Sequence, residues 1–410
     1  MLGVRIPLRK LIRRILLAIL AVQGATLAGL AVVDHRRKRD RVPARFPKVP
    51  PRSVTAGGSE VTVYTYGEDL YADMLDAIRQ AKSRVFFETF IWKADAVGQA
   101  FKTALIEAAD RGVKVYVVYD QFANLVVPQS FFKLPRTIAV RRHPLIASPL
   151  RFPRNSGRDH RKLLVVDDLV AFVGGYNIGS LYATDWRDTH ARLTGDAVWE
   201  AQNAFIDYWN FFAGRRRAPL PDFGTRSWQP NIKIHRNIPF HMVYPIRGMY
   251  LEAIDRAAHH IYLTHAYLIP DEDMLTALTR AAARGVDVRI IVPAESNHIV
   301  ADWLARGLYG HMLRNGIRLF LYQGAMVHAK TATIDGQWST IGTANIDRLS
   351  LLGNYEINLE VFNTDVARQM EEIFRVDSTN TIELTLPTWE RRHAMVKFSE
   401  TVLTPLRPLL

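Results

Sequence analysis

One spaced pattern occurs twice in this chain, and it constrains the architecture more than any other feature. His160 is followed by Lys162, Asp167, Gly174, Asn177 and Asp188, at offsets of 2, 7, 14, 17 and 28 residues. His328 is followed by Lys330, Asp335, Gly342, Asn345 and Glu356 at the same offsets. A single HxKxxxxD match arises by chance on the order of once in forty chains of this length at average residue usage. Two copies sharing three further positions are not chance. A second match supports duplication, because Ala108-Ala109-Asp110-Arg111-Gly112-Val113-Lys114-Val115 aligns with Ala281-Ala282-Ala283-Arg284-Gly285-Val286-Asp287-Val288. The 410 residues are therefore expected to form two related halves. The long period excludes a short-repeat solenoid.

Local patterning gives each half the same order. Helical periodicity over Asp73–Ser83 and Val97–Arg111 alternates with apolar strand signals at Val85–Ile91 and Val113–Tyr119. The second half repeats this with helices over Leu251–Ala258 and Asp273–Arg284 and strands over Ile261–Tyr267 and Val286–Val292. Such alternation predicts an α/β sandwich in each half. The Arg-, Pro- and Gly-rich stretch Gly214–Pro230 reads as the linker, placing the halves at residues 54–224 and 225–410. The C-terminal stretch Trp389–Leu410 reads as a helix closing the second core, with an interfacial segment as the alternative.

The formal charge of +13 is unevenly placed. Residues 1–53 hold 13 Lys and Arg against Asp34 and Asp40, so the remaining body carries only +2. A nucleic-acid enzyme spreads its basic residues along a groove, whereas here the excess flanks an apolar segment. That segment, Ile15–Val33, is 19 residues without a charge, near the minimum for a spanning helix. A cleaved signal peptide is the competing reading, but the basic run from Arg36 to Arg41 fits a retained anchor better. Eight Lys and Arg between Arg36 and Arg52, against five before the segment, favour a cytoplasmic body. With no cysteine there is no disulfide framework, thiolate metal site or thiol nucleophile.

His160 and Lys162 lead into the apolar run Leu163–Val166, so in a strand their side chains share one face. If the halves pack about a pseudo-twofold axis, His328 and Lys330 meet them at one site. Two imidazoles and two ammonium groups suit a phosphodiester and repel a metal ion. Asn177 and Asn345 can donate to nonbridging phosphate oxygens. Gly174 and Gly342 allow close backbone approach or a tight turn. Asp188 and Glu356 can bond the far nitrogen of a histidine and fix its tautomer. Asp167 and Asp335 are counted as catalytic with the histidines and lysines, bracing each site, or else they end a strand before a turn. The chemistry expected is attack on phosphorus by one histidine, giving a phosphohistidine, while the other protonates the leaving alkoxide. No cofactor is required.

These duplicated motifs resemble the phospholipase D superfamily over nearly all of residues 55–390. Trp186-Arg187-Asp188-Thr189-His190, the stretch from Thr264 to Asp271, and Asn354-Tyr355-Glu356-Ile357-Asn358 are similar to bacterial cardiolipin synthases. The resemblance implies a metal-independent phosphatidyltransferase at the cell (inner) membrane, acting on the anionic phospholipid phosphatidylglycerol, with no nucleic-acid partner. It also implies His160 as nucleophile and His328 as acid and base. A phospholipid hydrolase, a nuclease-like phosphodiesterase and a noncatalytic membrane scaffold stand as alternatives. The residues after Asp120, Gln-Phe-Ala-Asn, depart from the Gly/Ser-rich run of many synthases.

Overall fold

The computed structural model describes residues 45–145, 157–212, 219–221 and 231–405, with scattered positions between 13 and 32. Two eight-stranded sheets organise the chain. In space, the first runs Arg52–Ala56, Ser59–Tyr64, His190–Gly195, Val170–Gly174, Leu163–Val166, Arg84–Thr89, Lys114–Asp120, Ala139–His143. The second runs Ile232–Arg236, Ile357–Phe362, Trp338–Gly342, Lys330–Ile334, His260–His265, Asp287–Pro293, Arg318–Tyr322, Thr381–Leu384. Seven strands correspond one to one. The eighth is added at opposite edges, Arg52–Ala56 in the first sheet and Thr381–Leu384 in the second.

Alternating side chains give each sheet two apolar faces. Phe86 stacks on Phe205 of the helix Val198–Phe211, while Phe87 turns to Phe101 of the helix Ala96–Asp110 on the other side. The helices Gly67–Gln80 and Ala96–Asp110 cover that outer face. Their second-half counterparts, Pro245–Arg256 and Glu272–Ala283, do the same with Ile299–Arg314. The inner faces share one core: Val63, Leu163 and Phe205 of the first half pack with Ile341, Leu359 and Met370 of the second.

The matched Arg-Gly-Val segments are helix stops. Gly112 and Gly285 take φ of 89° and 91°, left-handed values that glycine adopts without a Cβ clash. Arg111 and Arg284 then reach across to the last carbonyls of the neighbouring helices Gly67–Gln80 and Pro245–Arg256, at Arg79 and Asp255 among others. The helices that these segments end, Ala96–Asp110 and Glu272–Ala283, are N-capped in the same way, with Asp95 accepting from Gly98 N and Asp271 from Met274 N.

Several positions of the expected span Ile15–Val33 lie outside the described residues. Among those described, no helix is long and apolar enough to cross a membrane. Gln23 donates to the Val402 carbonyl at 3.2 Å, and Leu30 packs into the second-half core. The C-terminal helix Ala394–Leu403 closes that core through Leu403 while Phe398 stays exposed.

Candidate active site

The two halves meet through strand contacts related by the duplication. Asp159 bridges Tyr355, and Val327 pairs with Arg187; Val327 stands 168 residues after Asp159, and Tyr355 168 after Arg187. His160 N donates to Tyr355 O, and His328 N to Arg187 O. Each motif histidine is thus fixed to the other half by its own backbone, one residue from that half's carboxylate.

The carboxylates act across the seam. His160 Nδ1 lies 2.9 and 3.1 Å from the two oxygens of Glu356, and His328 Nδ1 lies 2.6 Å from Asp188. An Nδ1–H donated to carboxylate leaves Nε2 of each ring with its lone pair. Thr343 donates to Glu356, and Thr189 N donates to Asp188, holding both acceptors in place. Phe90 lies edge-on against His160 at 4.7 Å, and Trp186 lies 4.9 Å from His328.

Lys162 Nζ donates to His160 O at 2.7 Å, and Lys330 Nζ donates to His328 O. Both lysines are buried. Burial lowers Lys162 to about 7, with Lys330 adding to the effect against the pull of Glu356. Burial lowers Lys330 to about 8, opposed by Asp188 and Glu356. An anionic ligand restores the charge of both. Burial also takes His328 to about 3, and it sets His160 well below the usual imidazole value with help from both lysines.

Asn177 Oδ1 accepts from Ile91 N at 3.1 Å, and Asn345 Oδ1 from Tyr267 N at 3.4 Å. With the carbonyl oxygens so occupied, the amide NH₂ groups are oriented as donors. Close approach explains the motif glycines, since a Cβ at Gly174 would strike His190 and one at Gly342 would strike Asn358. Among the described residues no group of three or more His, Cys, Asp or Glu could hold a metal ion.

Asp167 and Asp335 are placed elsewhere. Asp167 lies at the far end of the strand Leu163–Val166, where its carboxylate accepts from the backbone N–H of Lys82, Ser83 and Arg84. Asp335 accepts from Ala258, His259 and His260 in the same way. Both have φ of 53°, so they shape a turn and clasp the start of the neighbouring strand. The catalytic assignment of these two residues is corrected to this structural one. His260 pairs with Glu371, and His265 is buried against Tyr250, in keeping with structural roles for these histidines.

Sequence reasoning missed a buried charge group behind His160. Arg161 donates to Glu88 at 2.5 and 3.1 Å and lies 3.5 Å from Asp159. Burial raises Glu88 and Asp159 above the usual carboxylate range, against the opposing charge of Arg161. Arg161 directly follows the motif histidine, but Glu88 is 73 residues away, and nothing local in the sequence couples them.

Two α/β halves that bring paired His-x-Lys motifs to one seam define a phospholipase D-like protein. The family described as cardiolipin synthase, PLD-like domain, matches residues 74–206 and 250–378, and the chain belongs to it. A cardiolipin synthase of Geobacillus sp. (strain WCH70) is 30% identical over 93% of this chain and 78% of that protein. The major cardiolipin synthase ClsA of Bacillus subtilis (strain 168) is 31% identical over 86% of this chain and 76% of its own length. The fold is similar to a solved phosphatidylserine synthase of Haemophilus influenzae Rd KW20. That likeness has a TM-score of 0.67 at 14% identity, covering 88% of this chain and 94% of that one.

Proposed function

We propose that the protein is a phosphatidyltransferase that joins two phosphatidylglycerols into cardiolipin and releases glycerol. The observation that carries the reading is the crossed pairing of His160 with Glu356 and His328 with Asp188, which supports two imidazoles acting on one phosphorus from opposite halves. His160 Nε2 attacks the donor phosphorus, forming a P–N bond as the P–O bond to glycerol breaks. His328 gives its proton to the departing alkoxide. The hydroxyl of the second phosphatidylglycerol then returns a proton to His328 and attacks phosphorus, breaking P–N and freeing His160. Lys162, Lys330, Asn177 and Asn345 offset the charge on the nonbridging oxygens.

The two pairs differ in a way that supports His160 as nucleophile. Burial carries Glu356 up to about 8 despite Lys162 and Thr343, a setting that favours a neutral imidazole at His160. Burial also works to raise Asp188, but Lys330 and His328 outweigh it and hold Asp188 below the usual carboxylate range. The charged carboxylate opposes the burial that takes His328 to about 3, and an anionic phosphodiester bound beside the ring adds to that opposition, so the proton a general acid needs arrives with the substrate.

The segment Ile15–Val33 anchors the chain in the cell (inner) membrane with the body on the cytoplasmic side. Its basic flank adds attraction to an anionic leaflet of roughly 1 kcal/mol per Lys or Arg. The halves divide at residues 54–224 and 225–410. Product analysis on phosphatidylglycerol vesicles tests the function. Cardiolipin and glycerol are expected as main products, and phosphatidic acid as the dominant product would assign a hydrolase instead.

A further inference from the structure

Three large apolar side chains stand in solvent on one loop beside the first histidine. Phe122, Leu125 and Val126 are 55%, 53% and 82% exposed, all within the turn that follows the strand Lys114–Asp120. The turn is rigidly mounted. Its buried Asn124 donates to Phe90 O and Asp120 O and accepts from Trp92 N. Ala123 N caps onto Asp120, and Val127 is buried beneath. Phe90, held by Asn124, is the ring that lies against His160. Arg158, two residues before His160, stacks on Phe122 and donates to the Leu145 carbonyl, and Leu145 is itself exposed. The apolar tips therefore rise from the rim of the His160 side of the site.

The charge around them is one-sided. Among the described residues between 121 and 158, Lys133, Arg136 and Arg142 are exposed and Arg158 is half-buried, with no Asp or Glu. The corresponding residues 294–326 of the second half contain three Lys and Arg with Glu295 and Asp302. The turn equivalent to the apolar one reads Ala294-Glu295-Ser296-Asn297-His298. Apolar tips on a basic, acid-free rim match the boundary between headgroups and acyl chains of an anionic bilayer.

We propose that the turn Gln121–Val127 inserts into an anionic phospholipid bilayer and seats the His160 half of the site on the membrane, so that donor lipid enters over His160. This rests on the lipid-transfer reading above. The equivalent turn of the second half, which is polar, does not insert.

The absence of cysteine makes the test direct. In the full chain, Val126→Cys is labelled with an environment-sensitive fluorophore. Leu169→Cys serves as control, because Leu169 is 70% exposed in the turn at the other end of the strand from His160. On phosphatidylglycerol vesicles doped with a nitroxide lipid, the label at 126 is expected to shift to the blue and lose at least about half its emission. The label at 169 is expected to change little. In parallel, F122S/L125S/V126S should lose about tenfold or more of its turnover on vesicles. It should keep its turnover on monomeric short-chain phosphatidylglycerol within about twofold. A label at 126 that stays as wet as the one at 169 on vesicle-bound enzyme overturns the proposal. So does full vesicle activity of the triple variant, or equal loss on both substrates. Insertion at 126 by an enzyme that makes no lipid product would sink the transfer reading and leave the membrane contact standing.

Discussion

The two seam contacts have the same backbone geometry and opposite fillings. Where Tyr355 follows the bridge to Asp159, it packs among His143, Tyr208 and Phe212 at ring separations of 5.6, 5.4 and 5.6 Å. At the equivalent position the other half carries Arg187, whose guanidinium meets Asp377 at 2.6 and 2.9 Å in a fully buried ion pair. The residues beside the histidines diverge as well. Glu88, Asp159 and Arg161 form a charged group behind His160, whereas the matching positions behind His328 are Thr264, Val327 and Ala329. Duplication has preserved the strand contacts and the crossed His–carboxylate pairs while the surroundings changed from apolar to ionic and back. The chemistry therefore demands the positions of the imidazoles, and tolerates several ways of holding them.

The largest effects should come from the imidazoles. His160→Ala and His328→Ala are each expected to lower phosphatidylglycerol turnover by about 10⁴-fold or more, with the double variant no worse, because the rings act as a unit. A p-nitrophenyl phosphodiester separates their roles, since its leaving group needs no proton. With that substrate His328→Ala should still accumulate phosphate on His160, read by intact-protein mass, while His160→Ala should accumulate none. Equal labelling of the two variants would erase the functional difference between the halves.

A smaller effect concerns pH. Lys162 and Lys330 are lowered to about 7 and about 8, so in the free enzyme they lose charge as pH rises through that window. Binding of an anionic phosphodiester should weaken with them, and kcat/KM should fall about tenfold per unit on the alkaline side. On the acid side His160, depressed well below its usual value, remains a neutral nucleophile to lower pH than an exposed histidine would. A kcat/KM that rises steadily from pH 7 to 9 would contradict the electrostatic account of the lysines.

The repeat made the fold and most of the site readable, because equal offsets in both halves isolate the residues that duplication kept. His160, Lys162 and Asp188 and their counterparts reach the seam. Offsets could not show that Glu356 serves His160 and Asp188 serves His328, since the same spacing fits pairing within a half or across. Asp167 and Asp335 shared the spacing for a different reason. Their partners, residues 82–84 and 258–260, lie some 75 to 85 residues earlier, so a turn clasp and a catalytic acid look alike in the motif. The rim loop was visible only as a departure from a Gly/Ser-rich run. Its exposure depends on Asn124 spending its hydrogen bonds on Phe90 and Trp92, a tertiary fact.

The smallest expected effect tests whether the charged group behind His160 is needed at all. Arg161→Ala alone leaves Glu88 and Asp159 buried without their cation, and should destabilise the fold by about 3–5 kcal/mol. Copying the second half entirely, with Glu88→Thr, Asp159→Val and Arg161→Ala together, removes the charges as a set. Replacement of a buried ionic group by apolar residues is often neutral or stabilising, so the triple variant should lie within about 1 kcal/mol of the parent in denaturant unfolding. The backbone contact of residue 159 with Tyr355 does not need the Asp159 side chain, so His160 should keep its place and turnover should fall by less than about tenfold. A triple variant as unstable as Arg161→Ala would show that the first half has built its fold around the ions. A stable triple variant with its alkaline limb unmoved but turnover lost would instead assign the group to tuning His160. That outcome would make the difference between the halves part of the chemistry.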